Sequence, residues 1–197
     1  MAALLKSAAL RTGSGTRLDD RVYAMNQLKV LPLSQLMRSI YPDLYAVHNL
    51  NSEGDKVIPQ PPRLHLSPEM IYSHGAYVMD TRDVIYLYVS KDIDHTVLQA
   101  TFGLSAYSAL PELMYELPDL KTQESQRLRN FLQHLQSQKP QPAVLQIIRE
   151  DSKIRQLFTT YLVDGKTESS LSYYEFLQHL KNQITWNFIE QMCLLQI

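Results

Sequence analysis

Asp92-Ile93-Asp94-His95 brings two carboxylates and an imidazole within four positions, the residue types of acid–base catalysis or of a metal site. Either role needs partners at matching spacing. The other histidines, His48, His65, His74, His134 and His179, never stand four residues from one another and form no HExxH pattern, so no zinc hydrolase signature exists. The two acids are read instead as helix-start residues, favoured by the positive end of a helix dipole. Gly13-Ser14-Gly15-Thr16 has glycine spacing, but no Gly-Lys-Ser/Thr follows. A P-loop is thereby excluded, a dinucleotide fingerprint is incomplete, and the stretch reads as a turn between helices. Ser14 lacks a Gly-x-Ser-x-Gly context, and Cys193 sits in an apolar setting that does not activate a thiol. No catalytic, cofactor-binding or metal-ligating residue is assigned, and no cofactor is expected.

Composition narrows the classes further. A single cysteine among 197 residues excludes a disulfide framework, a cysteine-based zinc site and an iron–sulfur cluster, and fits a reducing compartment. The net charge of −1 excludes bulk electrostatic capture of nucleic acid. The twelve tyrosines come with no RNA-binding motif and read as sheet and interface packing. No apolar run approaches the roughly 18 residues of a membrane span. Met1 to Leu18 has the cationic, acid-free composition of a transit peptide, yet reads better as the basic end of a folded helix. Met1 to Ile40 carries six basic residues against two acids, a net of +4, which leaves −5 for the remainder.

The elements follow from patterning. Leu18 to Lys29 starts with Asp19 and Asp20, and Leu33, Leu36, Met37 and Ile40 form one apolar stripe that Pro42 stops, so two or three short packed helices are expected. Ile58 to Pro62 cannot be helical and reads as an extended linker or edge strand. Ser67-Pro68-Glu69 predicts a very short helix over Met70 to Ser73, ended by Gly75. Ala76 to Met79 and Val84 to Val89 are strands joined by the four residues Asp80 to Asp83, a hairpin. The second strand lacks polar alternation and is expected to be central. Helices are predicted over Asp92 to Gly103 and Thr122 to Gln138, broken by Lys139-Pro140-Gln141-Pro142, before a strand over Val144 to Ile148. Ser152 is expected to cap a helix with the stripe Ile154, Leu157, Phe158, Tyr161 and Leu162, and Ser172 with Glu175 makes a capping box for another. The fold class is α+β, a sheet flanked by helices.

Four strings carry a resemblance: ALLKSAALRTGSGTRLDDRVYAM (Ala3 to Met25), VIPQPPRLHLS (Val57 to Ser67), HGAYVMDTRDVIYLYVS (His74 to Ser90) and SLSYYEFLQHLKNQI (Ser170 to Ile184). In that order they resemble the cargo-adaptor subunit of the COPII inner coat, the Sec-twenty-four type. The resemblance implies a helical-domain segment over 1–50, a gelsolin-like mixed sheet flanked by helices over 57–149, C-terminal helices over 150–184 and an atypical tail over 185–197. It implies a non-catalytic coat component, a fragment or short isoform, in transport from the endoplasmic reticulum to the Golgi. The implied partners are the other inner-coat subunit (Sec-twenty-three type) and, indirectly, the coat GTPase and cargo. The implied place is cytoplasmic and peripheral, at endoplasmic reticulum exit sites and on COPII vesicles.

Three departures qualify what the resemblance implies. Thr185 to Ile197 does not look like the family ending. Ala76 stands where calcium-binding gelsolin modules have an acid, and Tyr88-Val89-Ser90 replaces a Trp-Val-Gly pattern, so no calcium site is expected. Arg149 and Arg155 lie roughly where the partner subunit carries a GTPase-stimulating arginine, but nothing local supports that role here. An actin-regulating gelsolin-type module is the alternative.

Overall fold

The computed structural model describes residues 3–4, 7–10, 15–50, 58–164, 174–175, 177–179, 181–182 and 184–185. Helices α1 (Leu18–Val30) and α2 (Leu33–Ile40) lead into strand β1 (Asp43–Ala46). Then come β2 (Arg63–Leu64), β3 (Ala76–Asp80), β4 (Val84–Val89), helix α3 (His95–Phe102), β5 (Leu113–Met114), helix α4 (Gln123–Ser137), β6 (Val144–Arg149) and the short helix α5 (Gln156–Thr159). The six strands form one mixed sheet in the order β2-β1-β3-β4-β6-β5. β4 pairs antiparallel with β3 and parallel with β6, so it is internal, as its unbroken apolar run requires. The parallel partner is reached by a crossover that contains α3 and α4.

Alternation along the strands sorts two side-chain chemistries onto two faces. Val78, Ile85, Leu87, Val89 and Ile147 face Leu98 and Phe102 of α3 and Leu128, Phe131, Leu132 and Leu135 of α4. Tyr77, Met79, Tyr86, Tyr88 and Ile148 face the other way, against Leu66, Phe158, Leu162 and Val163. Phe158 is fully buried and stacks on Tyr88 with ring centroids 4.6 Å apart. The segment after β6 therefore seals the aromatic face.

Local signals act where they were expected, with adjusted bounds. Asp94 caps α3 by accepting from Thr96 N–H at 2.8 Å, and Gly103 ends it at φ 70°, a left-handed conformation that costs glycine little. Gly75 has a different reason: a Cβ there would lie 2.5 Å from the Tyr77 hydroxyl oxygen, which accepts from Tyr72 N–H at 2.7 Å. The hydroxyl and backbone amide of Thr96 hold the Asp94 carboxyl below its ordinary value, the hydroxyl foremost. A depressed carboxylate contributes stability above its unfolded pKa and loses it as pH falls through the folded one. The Thr96 amide is accordingly expected to exchange several-fold faster in Asp94→Ala than in the parent at about pH 6, and the gap to close near pH 3, as read by NMR.

Two expected helices are corrected, one open alternative is decided, and three strands are added. Of the two readings of Ile58 to Pro62, linker or edge strand, the strand falls: these residues form none, and the edge strand is Arg63–Leu64, beyond Pro61 and Pro62, neither of which has an N–H to donate. The helix expected over Met70 to Ser73 is one 3-10 turn over Pro68–Met70, capped by Ser67. The helix after Ser152 is also short, a 3-10 turn over Lys153–Arg155 running into α5, because the chain then turns to pair Asp164 N–H with the Leu66 carbonyl at 2.8 Å. Strands β1, β2 and β5 had no counterpart in the patterning: β2 and β5 are too short to show a period, and the proline ahead of β1 read only as a helix stop. The helix expected from Ser172 and the tail beyond residue 185 lie largely outside the described residues, as do Gly13, Ser14 and Cys193.

Candidate functional site

The residues first considered for chemistry do not converge. Asp94 is spent on capping α3, and the Asp92 carbonyl lies 2.8 Å from His74 Nδ1. His95 is exposed at the start of α3. His48 accepts from Ala76 N–H at 3.3 Å, and His134 pairs with Gln138 at 2.8 Å. Among the described residues no three of His, Cys, Asp and Glu gather as a metal-binding group.

The two arginines differ in constraint. Arg149 donates through Nε to Asp151 Oδ1 at 2.8 Å and through Nη2 to the other carboxylate oxygen, and through Nη1 to the Leu110 carbonyl at 2.8 Å. Its guanidinium also lies 4.8 Å over the Tyr107 ring. That hydrogen bonding lowers the Asp151 pKa. A guanidinium held by three acceptors and a ring is fixed in place rather than free to reach a nucleotide. Arg155 is exposed on its 3-10 turn. At the positions of the calcium departures, Ala76 pairs with Val89 in the ladder, and the Ser90 hydroxyl donates to the Tyr72 carbonyl at 3.0 Å.

The concentrated polar chemistry lies instead around the β3–β4 turn. Asp80 ends β3 fully buried, with the Lys139 ammonium 2.6 Å from Oδ1 and Arg38 of α2 3.7 Å from Oδ2. The Lys139 side chain is only 2% exposed, and its ammonium also donates to the carbonyls of Thr81 and, at 3.3 Å, Arg82. Burial pushes the Asp80 carboxyl above its ordinary pKa; the hydrogen bond and charge of Lys139 pull the other way, and Arg38 adds to that pull. Arg82, from the turn, donates to Gln27 of α1 at 2.7 Å, and Arg38 donates to Gln138 at 3.2 Å. Just past α2, the Tyr41 hydroxyl donates to Asp164, which also accepts from Leu66 N–H at 3.2 Å. Burial, with the Asp164 carboxylate, pushes Tyr41 up to about 12.

Beside this cluster, where the helix pair meets the β3–β4 turn and the segment after α5, lies a cavity of about 330 Å³. Ala24, Leu28 and Leu36 line one wall, and Arg82, Asp83 and Tyr161 the other. Three of its polar side chains engage one another: Arg82 donates to Gln27 and also pairs with Asp83 at 3.5 Å. The arrangement joins elements; it presents no nucleophile next to a base.

Sequence reasoning missed Asp80 and Lys139 because both stood in stretches read as turn and helix breaker. The available signal was an acid immediately after four strand positions that all proved buried.

Comparison with known proteins places these features in context. The family described as Sec23/Sec24 helical domain matches residues 1–38, and the gelsolin repeat matches residues 57–132. The chain is 41% identical over 187 residues to human protein transport protein Sec24B, covering 92% of this chain and 15% of that protein. Mouse Sec24A is 42% identical, with 92% of this chain and 17% of that protein covered. The sec24 protein of the fission yeast Schizosaccharomyces pombe is 31% identical, covering 92% of this chain and 21% of its own length. The crystal structure of the human COPII-coat protein Sec24c shares the fold with a TM-score of 0.83 at 24% identity, over 95% of this chain and 25% of that one.

Proposed function

Because this chain is a Sec24-type segment, joining a stretch of Sec23/Sec24 helical domain to a gelsolin repeat, we propose that it is a non-catalytic structural element of a COPII-type coat acting between the endoplasmic reticulum and the Golgi. The observation that carries this reading is continuity: identity of 41–42% runs through both modules across 92% of the chain. The chain spans only about a sixth of the length of these relatives, so the coat role is proposed for the segment as part of a larger assembly.

The proposed division is a helical segment over 1–50, which lends β1 to the sheet, a gelsolin-like domain over 57–149, C-terminal helices over 150–184 and a distinct tail over 185–197. The mechanism is scaffolding. Helices packed on the sheet hold a shape that presents surfaces to neighbours, and the buried charges are spent on joining elements rather than on a substrate. Leu18, Val22, Leu33 and Met37 stand exposed on α1 and α2, consistent with a helical segment that meets further partners. The proposed partner is the other inner-coat subunit, of the Sec23 type, with the coat GTPase and cargo met indirectly and a peripheral place on the endoplasmic reticulum membrane. No helix among the described residues is long and apolar enough to cross a membrane.

Retention of the purified Sec23-type subunit on the immobilised chain, alone or within assembled inner coat, is the expected result; failure in both settings would refute the coat reading. Single-turnover GTP hydrolysis by the coat GTPase is expected to run at the same rate with and without the chain, and an acceleration would overturn the non-catalytic assignment.

A further inference from the structure

We propose that the polar contacts converging on the β3–β4 turn form a hinge. They, rather than apolar packing, hold the α1–α2 pair against the sheet, so that the pair can leave as a unit while the sheet stays folded. This inference stands on the geometry of this chain and is independent of the coat reading.

The first ground is burial. No residue of α1 or α2 is buried, whereas α4 sinks Leu128, Phe131, Leu132 and Leu135 into the core. Where the helix pair meets the β3–β4 turn and the segment after α5, a cavity of about 330 Å³ stands in place of interlocked side chains. Elements with little buried apolar surface occupy the low end of local stability and open first.

The second ground is a set of polar contacts that hold them. Gln27 of α1 accepts from Arg82 at 2.7 Å. Arg38 of α2 faces Asp80 Oδ2 at 3.7 Å and donates to Gln138 at 3.2 Å. Tyr41, directly after α2, donates to Asp164 and marks the pivot, because β1 follows and is locked in the sheet.

The third ground is how Asp80 is neutralised. Each of its oxygens faces a different cation: buried Lys139 on one, partly exposed Arg38 on the other. Arg38 can therefore depart with α2 and leave the buried carboxylate still paired with Lys139. A buried charge left without any partner would forbid such an opening; here none arises. The Lys139 ammonium also stays on the Thr81 and Arg82 carbonyls, so the turn keeps its shape when the helices move.

Hydrogen exchange read by mass spectrometry on the full chain tests this, comparing the parent with a Gln27→Ala, Arg38→Ala double variant that leaves Asp80 and Lys139 untouched. Amides over 18–40 are expected to exchange at least about tenfold faster in the variant, while those of β3, β4, β6 and α4 keep their parental rates. Unchanged exchange over 18–40 would overturn the hinge. So would acceleration shared by β4 and α4, including loss of the fold, because the contacts would then be holding the sheet itself.

Discussion

Leu87→Ala is expected to lower the unfolding free energy by about 2–5 kcal/mol, measured by chemical denaturation. Leu87 is fully buried in the middle of β4, between Val78 on β3 and Ile147 on β6, and faces the α3–α4 layer. Truncation there removes apolar contacts and leaves a cavity that two hydrogen-bonded neighbours prevent from collapsing. The spread of the range reflects how far α3 and α4 can settle into the space. A loss below about 1 kcal/mol would mean that β4 does not sit between two strands, which is the premise of the sheet order.

Asp80→Ala is expected to cost as much, about 3–5 kcal/mol, for a different reason. It leaves the Lys139 ammonium, 2% exposed, without its carboxylate. Replacing Asp80 and Lys139 together by apolar residues of similar volume is expected to restore most of the loss, since the penalty comes from one uncompensated charge and not from absent attraction. Restoration that fails would indicate that the pair itself, through the Lys139 contacts to the turn, determines the hairpin. The pH dependence has a definite sign. Burial raises the Asp80 pKa in the fold, so the folded state binds that proton more readily than the unfolded chain. The resulting contribution is fully present below the unfolded pKa and is lost as pH rises through the folded one. The parent is therefore expected to gain stability relative to Asp80→Asn as pH falls from about 7 toward 4, and a gap moving the other way would contradict the assigned shift.

Both predictions concern residues whose environment was unequally legible. The run Val84 to Val89, rich in β-branched and aromatic residues without polar alternation, announces a strand covered on both faces. Its two faces then fill as that run demands, with aliphatic side chains toward α3 and α4 and tyrosines toward Phe158. The bounds of α3 follow from one capping carboxylate and one glycine. Edge strands of two residues, such as β2 and β5, carry no comparable signal, because two positions cannot display a period. Strand β1 has four, DLYA, following a proline that stopped the helix before it, and that punctuation concealed it.

Sequence patterning by itself determined the α+β class, the central strand, the long helices and the absence of a nucleotide or zinc signature, since these depend on periodicity and caps that act within a few residues. The tertiary structure alone decided the sheet order and the meeting of Arg38, Asp80 and Lys139. Asp80 and Lys139 become neighbours only because the chain crosses through α3 and α4 to lay β6 parallel to β4, and no local rule places a lysine beside an aspartate at that separation. Burial then converts an ordinary turn residue and an ordinary helix breaker into a charged pair on which the joint between helices and sheet depends.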